Sequence, residues 1–404
     1  MAIAQGISKI TVYKKQSGLG VPASGSGGQT MRRESSTNNL KKETYQNNEI
    51  VSHQQSTGKT HGLRSVDTVL NGVLSPGTYA GLIGSCLRRD FTAVTPVTGA
   101  SLTIAGTPPN YTVTRAAGSF LTDGFKIGHV MRLSVGSLHA NNINKNLLIT
   151  ALTATVATVR VLNASVMNAE GPIAGCTLTV IGKQTFAPMT GHTKDYYTVE
   201  DWHSDISQSL LYSDLNIGMV DLNLPSTGNA TISVTAPGLQ RSSGAVQILT
   251  TPTAETTTNV MAAVNGILVF NNSVVVNVTG LSVKIDGKAA NMGAVVGSNI
   301  SPDVQRGIIE VTGQFTAFYQ DGALSALFDN ATQVNLVFAL TADNSATSDF
   351  MVFTIPNLTL DGDSKDDGDK AIVGTFPFTA RLNAAGGAGT NSEKTIVVVQ
   401  DSAA

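Results

Sequence analysis

Few residues in this 404-residue chain could do chemistry, and their spacing is wrong for it. Asp361, Asp363, Asp366, Asp367 and Asp369 could gather around a calcium ion. The EF-hand pattern fails, however: Lys365 holds the fifth loop position, Asp366 replaces the required Gly, and no Glu closes the loop. A solvated hairpin tip between NLTLDG and KAIVGTFPF is the better reading. STGKT (Ser56 to Thr60) has the end of a phosphate-binding loop, but His53 stands where its first Gly belongs and no apolar strand precedes it. Asp195, Glu200, Asp201 and Asp205 flank Trp202 and His203, a set that could exchange protons. An exposed strand or loop face is expected there instead. The six histidines show no metal-ligand spacing, and no GxSxG or HExxH occurs. Cys86 and Cys176 read as two buried, reduced thiols. No active site and no cofactor is expected.

The composition points to structure rather than catalysis. Only 13% of residues are charged and 5% aromatic, with 40 Gly. A disordered chain would carry more charge and less apolar content. A formal net charge of -2 excludes a dedicated nucleic-acid binder. Few charges, many β-branched residues and Gly-marked turns describe a β protein that meets other protein over much of its surface. The start, MAIAQGISKITVYKK, lacks an apolar signal region, and no apolar run is long enough to span a membrane. Folding in a cytoplasm is the expectation.

These residues must be positioned mainly by short strands. From Arg306 the sequence alternates with period two: Ile309, Val311, Phe315 and Ala317 fall on one side, and Arg306, Glu310, Thr312, Gln314 and Thr316 on the other. GTFPFTARL repeats the pattern, with Thr375, Thr379 and Arg381 opposite Phe376 and Phe378. In Ala323 to Asn330, Leu324, Leu327 and Phe328 form one helical stripe. Ser75 to Arg89 predicts another helix, with Ser75 as N-cap, Pro76 at the first helical position and Tyr79, Leu82, Ile83, Cys86 and Leu87 buried. Met31 to Thr60 is a long polar stretch, and Ser226 to Asn259 reads as outer strands and loops. The rhythm changes near Ala93 and again near Ala187, with six short strands between. Residues 93–186 therefore read as a small β-barrel or sandwich inserted into a larger domain made of 1–92 and 187–404.

The ordered series AVNGILVF, VTGLSVKIDG, VVGSNISPDV, VTGQFTAFYQDGALSALF and GTFPFTARL, from TVYKKQSGLGVP near the start to KTIVVV near the end, resembles the major tail tube proteins of long-tailed (siphovirus-type) bacteriophages. The piece GSFLTDGFKIGHVMRL resembles an insertion that projects from the outside of some such tubes. The resemblance implies an antiparallel β-sandwich or barrel with one or two short helices. It implies a homohexameric ring that stacks into a conduit for genome ejection, located in the virion tail and assembled in the host cytoplasm. It also implies the tape measure, tail tip and tail terminator proteins as partners, with phage DNA passing through unbound. Glu310, Thr312, Gln314, Thr316, Thr375, Thr379 and Arg381 become candidates to face the lumen. Arg32, Arg33, Lys41 and Lys42 on the polar arm, against Asp363, Asp366, Asp367 and Asp369, become candidates for contact between rings. An outward insertion would obstruct a contractile sheath, which favours a non-contractile tail. The competing reading is a carbohydrate-binding or adhesive β-protein of a tail or pilus, whose insert would need exposed aromatics among Tyr111, Phe120, Phe125 and Phe186.

Overall fold

Alternating apolar and polar residues build one long antiparallel sheet in the computed structural model, which describes residues 3–163, 165–275, 277–367 and 369–404. Of the segments named above, Met1 and Ala2 at the start, Ala164 in the insert and Gly368 in the acidic run lie outside these. The strand order is Ser273–Val274, Gly266–Phe270, Val334–Thr341, Phe350–Leu360, Val373–Ala380, Glu310–Phe318, Val278–Asp286, Met219–Pro225, Thr231–Gly238, Lys59–Val73 and Ser35–Gln46. Thr231–Gly238 is thus an interior strand of this sheet and departs from the outer-strand reading of Ser226 to Asn259, which the edge strand Gln240–Gly244 and the loop after it fit. Its alternating Ile232, Val234 and Ala236 are buried.

The sheet folds over on itself at Phe350–Leu360. The first half of that strand pairs with Val334–Thr341, and Leu358 to Leu360 pair with Ala380 to Phe378. Between the halves a register shift puts one extra residue into the strand, and a bulge of this kind bends it. The two halves therefore face each other across a core. Phe270 meets Phe315 with ring centroids 5.2 Å apart, and Phe315 stacks on Phe376. A second sheet, ordered Gln240–Gly244, Gln208–Leu215, Tyr197–His203, Lys9–Lys15 and Gln29–Thr30, adds Tyr197, Val199, Tyr212 and Leu215 to the same core.

Two short α-helices complete this part. The first runs Ala80–Leu87 rather than from Pro76. Gly77 adopts φ 74° and gives its N–H to Asp401 Oδ2 at 2.8 Å, while Ser75 Oγ pairs with Thr78 Oγ1 instead of capping a backbone N–H. Leu82, Ile83, Cys86 and Leu87 are buried as expected. The second, Ala323–Asp329, lays Leu324, Leu327 and Phe328 against the core edge. Both cysteines are unpaired and buried.

Six strands between Val97 and Val180 close into a barrel with its own core, in which Phe120 and Phe125 pack edge to face. The chain enters and leaves through one antiparallel bridge, where Thr92 and Gln184 exchange N–H···O bonds of 2.8 Å in both directions. Lys183–Phe186 then pairs with Val398–Asp401. The barrel does not hang free. Its Val130, Leu148 and Leu162 pack on Val269, Val337, Ala339, Phe350 and Val352, on the outer face of the folded-over half of the long sheet.

Candidate functional site

The opposite outer face of the sandwich is polar. Residues directly paired across an antiparallel sheet share a face, so the registers define rows. Thr379, Thr312, Lys284, Asp221, Ser233, Asn71 and Ser35 form one row across seven strands. The adjacent row, Phe378, Gly313, Val283, Leu222, Ile232 and Gly72, points into the core. Gly313 is required there: a Cβ would lie 2.6 Å from the Phe378 ring. The next row outward holds Pro377, Gln314, Ser282, Asn223 and Thr231, and beyond it Thr375 pairs with Thr316.

All seven sequence-derived candidates for a wet face therefore lie on this side or beside it. Glu310 and Gln314 are exposed; Thr312, Thr316, Thr375 and Thr379 are half-buried. Arg381 is exposed just past its strand and donates its backbone N–H to Asn357 O at 2.8 Å. Lys284, Asp221, Ser282, Asn223, Ser233 and Asn71 complete the face and were missed, although MVDLNLP and VTGLSVKID alternate in the same way. Charges here compensate locally. Lys288 Nζ lies 2.6 Å from Glu310, and Lys284 lies 3.7 Å from Asp286. Burial raises the Asp221 carboxyl above its ordinary range, with Lys284 opposing. Thr279 Oγ1 donates to Thr316 Oγ1 at 2.7 Å, and Thr379 Oγ1 to Asp361 Oδ2 at 2.5 Å. The face offers hydroxyls, amides and neutralised ion pairs.

The polar arm is a long hairpin, Ser35–Gln46 against Lys59–Val73. Its outer part, residues 41–50 and 52–61, is exposed. Arg32 and Arg33 are not on that part. They anchor the root, donating to Thr258 O at 2.6 Å and Lys9 O at 2.7 Å. Lys41 pairs with Asp67 and Lys42 is exposed. STGKT occupies the end of the arm's turn and the start of its second strand.

The acidic run joins the two strands of the expected hairpin, and its first part continues their pairing. Residues 361–366 fold back along Val373–Ala380: Asp361 N–H donates to Pro377 O at 2.8 Å, Asp366 N–H to Val373 O at 3.1 Å, and Val373 N–H to Asp366 Oδ1 at 2.6 Å. Asp363 binds Lys365 at 2.7 Å; Asp366, Asp367 and Asp369 are exposed. Arm and acidic run thus sit at opposite edges of the polar half of the sheet.

Three of the four carboxylates around Trp202, Asp195, Glu200 and Asp201, are buried, contrary to the exposed face expected, while Asp205 is exposed. Glu200 is 0% exposed and accepts from Ile248 N, Leu249 N and Ser209 Oγ. Asp201 holds Thr11, Asn38 and Lys9, which fixes the arm root. Asp195 pairs with Lys15 at 2.8 Å. Strand alternation alone could not show that a second layer covers them. In the barrel, Tyr111, Phe120 and Phe125 are buried, and Phe186 lies beneath Arg89, 3.8 Å from its ring centroid. Among the described residues no group of three or more His, Cys, Asp or Glu is placed to hold a metal, and no helix is long and apolar enough to cross a membrane.

The profile of a family described as phage tail tube protein aligns with residues 8–380. No curated protein matches.

Proposed function

Because the chain belongs to the phage tail tube protein family, and so is a structural virion tail component that self-assembles into a tube, we propose that six copies close each ring and that rings stack head to tail into a non-contractile, siphovirus-type tail. In this reading the polar face lines the lumen and the genome passes over it during ejection. The tape measure protein occupies it beforehand, while tail tip and terminator proteins cap the ends. Assembly takes place in the host cytoplasm.

One observation carries the reading: the polar face and the barrel lie on opposite sides of the same sandwich. If one side faces inward, the other faces out, and residues 93–186 decorate the exterior where a contractile sheath would otherwise pack. Phosphates pass hydroxyls, amides and compensated ion pairs without the counterion release that makes Lys- and Arg-rich surfaces sticky. The arm runs past the end of the sheet and is long enough to engage a neighbouring ring. The buried barrel aromatics leave no stacking platform for a sugar, which argues against the adhesive alternative.

Negative-stain micrographs of the purified protein across a concentration series test this. Sixfold rings or tubes with knobs on the outside are expected. A monomer at every concentration, or tubes with the barrel inside, would overturn it.

A further inference from the structure

The two ends of the sandwich carry complementary features. Val278–Asp286 and Glu310–Phe318 pair antiparallel, so residues 287–309 emerge at one end, while Val275 and Phe318 lie at the other. At the first end those residues form a lobe. Ala290–Asn291 pairs with Val304–Gln305, and Val295 bridges to Ser298 across a turn. The lobe is braced from below: Arg64 N–H donates to Asn299 O at 2.9 Å, and Asn291 Nδ2 to Gly238 O at 3.0 Å. Met292, Val295, Val296 and Ile308 are nevertheless exposed on it, Val296 completely. Single exposed apolar residues are ordinary, but four on one lobe mark a contact surface. At the second end a cleft of about 360 Å³ opens between the two halves of the sandwich, beside Ala323–Asp329. Phe270 and Phe376 floor it, and Val275, Phe318, Leu324 and Leu327 wall it. Its size and apolar lining are those of a binding pocket.

We infer that the cleft receives the lobe of a second copy, with Val295 and Val296 entering it, so that each ring plugs into the next. This rests on the stacking proposed above and supplies its side-chain contact. The two features sit at opposite ends of the same strand pair, so plug and socket point along one axis. A contact between two unlike surfaces repeats into a filament when no rotation closes it. No copy can fill its own cleft, because nine strand residues hold the two ends roughly 30 Å apart. The charges match as well. Asp321 lines the cleft. Asp366, Asp367 and Asp369 are exposed beside it, where Tyr319 N–H donates to Ile372 O and Lys365 Nζ lies 5.0 Å from the Tyr319 ring. At the lobe's end Asp286, Asp303 and Glu310 each pair with a lysine. Arg88 and Arg306 donate instead to the Gly287 and Thr193 carbonyls, and Arg381 is exposed, which leaves positive charge in excess there. Opposed charges steer the encounter, and burial of the apolar tip holds it.

Two variants test the contact. Val296→Asp changes a side chain that touches nothing within its own copy, so rings should form as in the unsubstituted protein while tube growth slows at least tenfold. Growth at the unsubstituted rate would overturn the inference. The second variant is V296C/Q320C, in which Gln320 is an exposed residue lining the cleft. Within one copy the two positions are far beyond the reach of a disulfide, and the native Cys86 and Cys176 are buried and do not compete. Oxidised tubes of this variant should give a ladder of cross-linked chains on a non-reducing gel. Either single-cysteine variant, able to form dimers at most, should give none. Tubes without a ladder would overturn the inference. Where one variant fails to fold, the other decides. An unsubstituted protein that forms neither rings nor tubes would instead sink the self-assembly reading, and this inference with it.

Discussion

The side-chain amide of Gln400 treats Val130 as a neighbouring strand would. Its Oε1 accepts the Val130 N–H at 2.8 Å, and its Nε2 donates to the Val130 carbonyl at 3.1 Å and the Ile181 carbonyl at 2.7 Å. One buried side chain thereby fixes the barrel to the C-terminal strand. Gln400→Leu keeps the volume but leaves two backbone groups, the Val130 N–H and the Ile181 carbonyl, without this partner, while the Val130 carbonyl keeps the Ile181 N–H; the cost is about 1–3 kcal/mol each before relaxation. Urea denaturation should show a loss of at least about 2 kcal/mol, with Gln400→Glu intermediate. A loss below about 0.5 kcal/mol would show that water replaces the amide without cost.

Two buried groups should oppose each other in acid. Burial raises the Asp401 carboxyl to about 6, so between about pH 4 and 6 the folded chain holds a proton the unfolded chain has released, and stability falls as pH rises through that window. Burial lowers His129 to about 4, with the hydrogen bond its Nε2–H donates to Gln184 Oε1 opposing and Lys126 adding to the shift. Between about pH 4 and 6.5 the unfolded chain holds a proton the folded chain lacks, so this contribution rises with pH. Each is on the order of 3 kcal/mol, and across their common window they nearly cancel. Asp401→Asn should expose the histidine alone: its urea midpoint should climb between about pH 4.5 and 6 while that of the parent protein stays nearly flat. A parallel response in both proteins would refute the pairing.

Lysines on the polar face should convert a passive surface into a binding one. Tubes of the triple variant T312K/Q314K/T316K should retain double-stranded DNA at low salt, where tubes of the parent protein retain none. Retention should fall with salt, with a log–log slope steeper by up to about 0.9 per added charge that meets a phosphate. Tubes that retain no DNA would place this face away from the lumen.

Removal of the barrel should depend on where the cuts fall. Excising 93–186 takes Lys183–Phe186 from its pairing with Val398–Asp401, and the product should be insoluble. Replacing 94–182 with a short Gly/Ser turn keeps that strand and uses the close ends at Thr92 and Gln184. Because Val269, Val337, Ala339, Phe350 and Val352 lose their cover, this variant should stay soluble only with Val337 and Val352 also made Thr. Size-exclusion chromatography and near-ultraviolet circular dichroism separate the outcomes. A soluble, folded 93–186 deletion would show that the Lys183–Phe186 pairing is dispensable.

The sequence made legible whatever depends on neighbours along the chain. Period-two alternation placed Val311, Phe315 and Ala317 inside and Thr312 and Gln314 outside, and six turn-bounded strands outlined the barrel. What it concealed depends on distant partners. Asp361 to Asp369 read as a solvated hairpin tip between NLTLDG and KAIVGTFPF, and only the extent of pairing was hidden, because nothing local shows that Pro377 O and Val373 O continue the ladder down to Asp366. Glu200 and Asp201 looked exposed because the backbone amides of Ile248 and Leu249 and the hydroxyl of Thr11 arrive from elsewhere. The early helix start at Pro76 failed because Asp401, over three hundred residues away, captures the Gly77 N–H.

The paired backbone bonds between Thr92 and Gln184 also bear on how such a chain can diversify. The polypeptide leaves the wall and returns to it at one seam, so a unit grafted there reroutes no other strand. Any module with adjacent termini and an apolar footing for Phe350 and Val352 meets the geometric terms. In the tube arrangement proposed above, the seam would repeat once per copy along the particle, on the side away from the polar face, which would suit it to display of a foreign domain, an enzyme or an epitope.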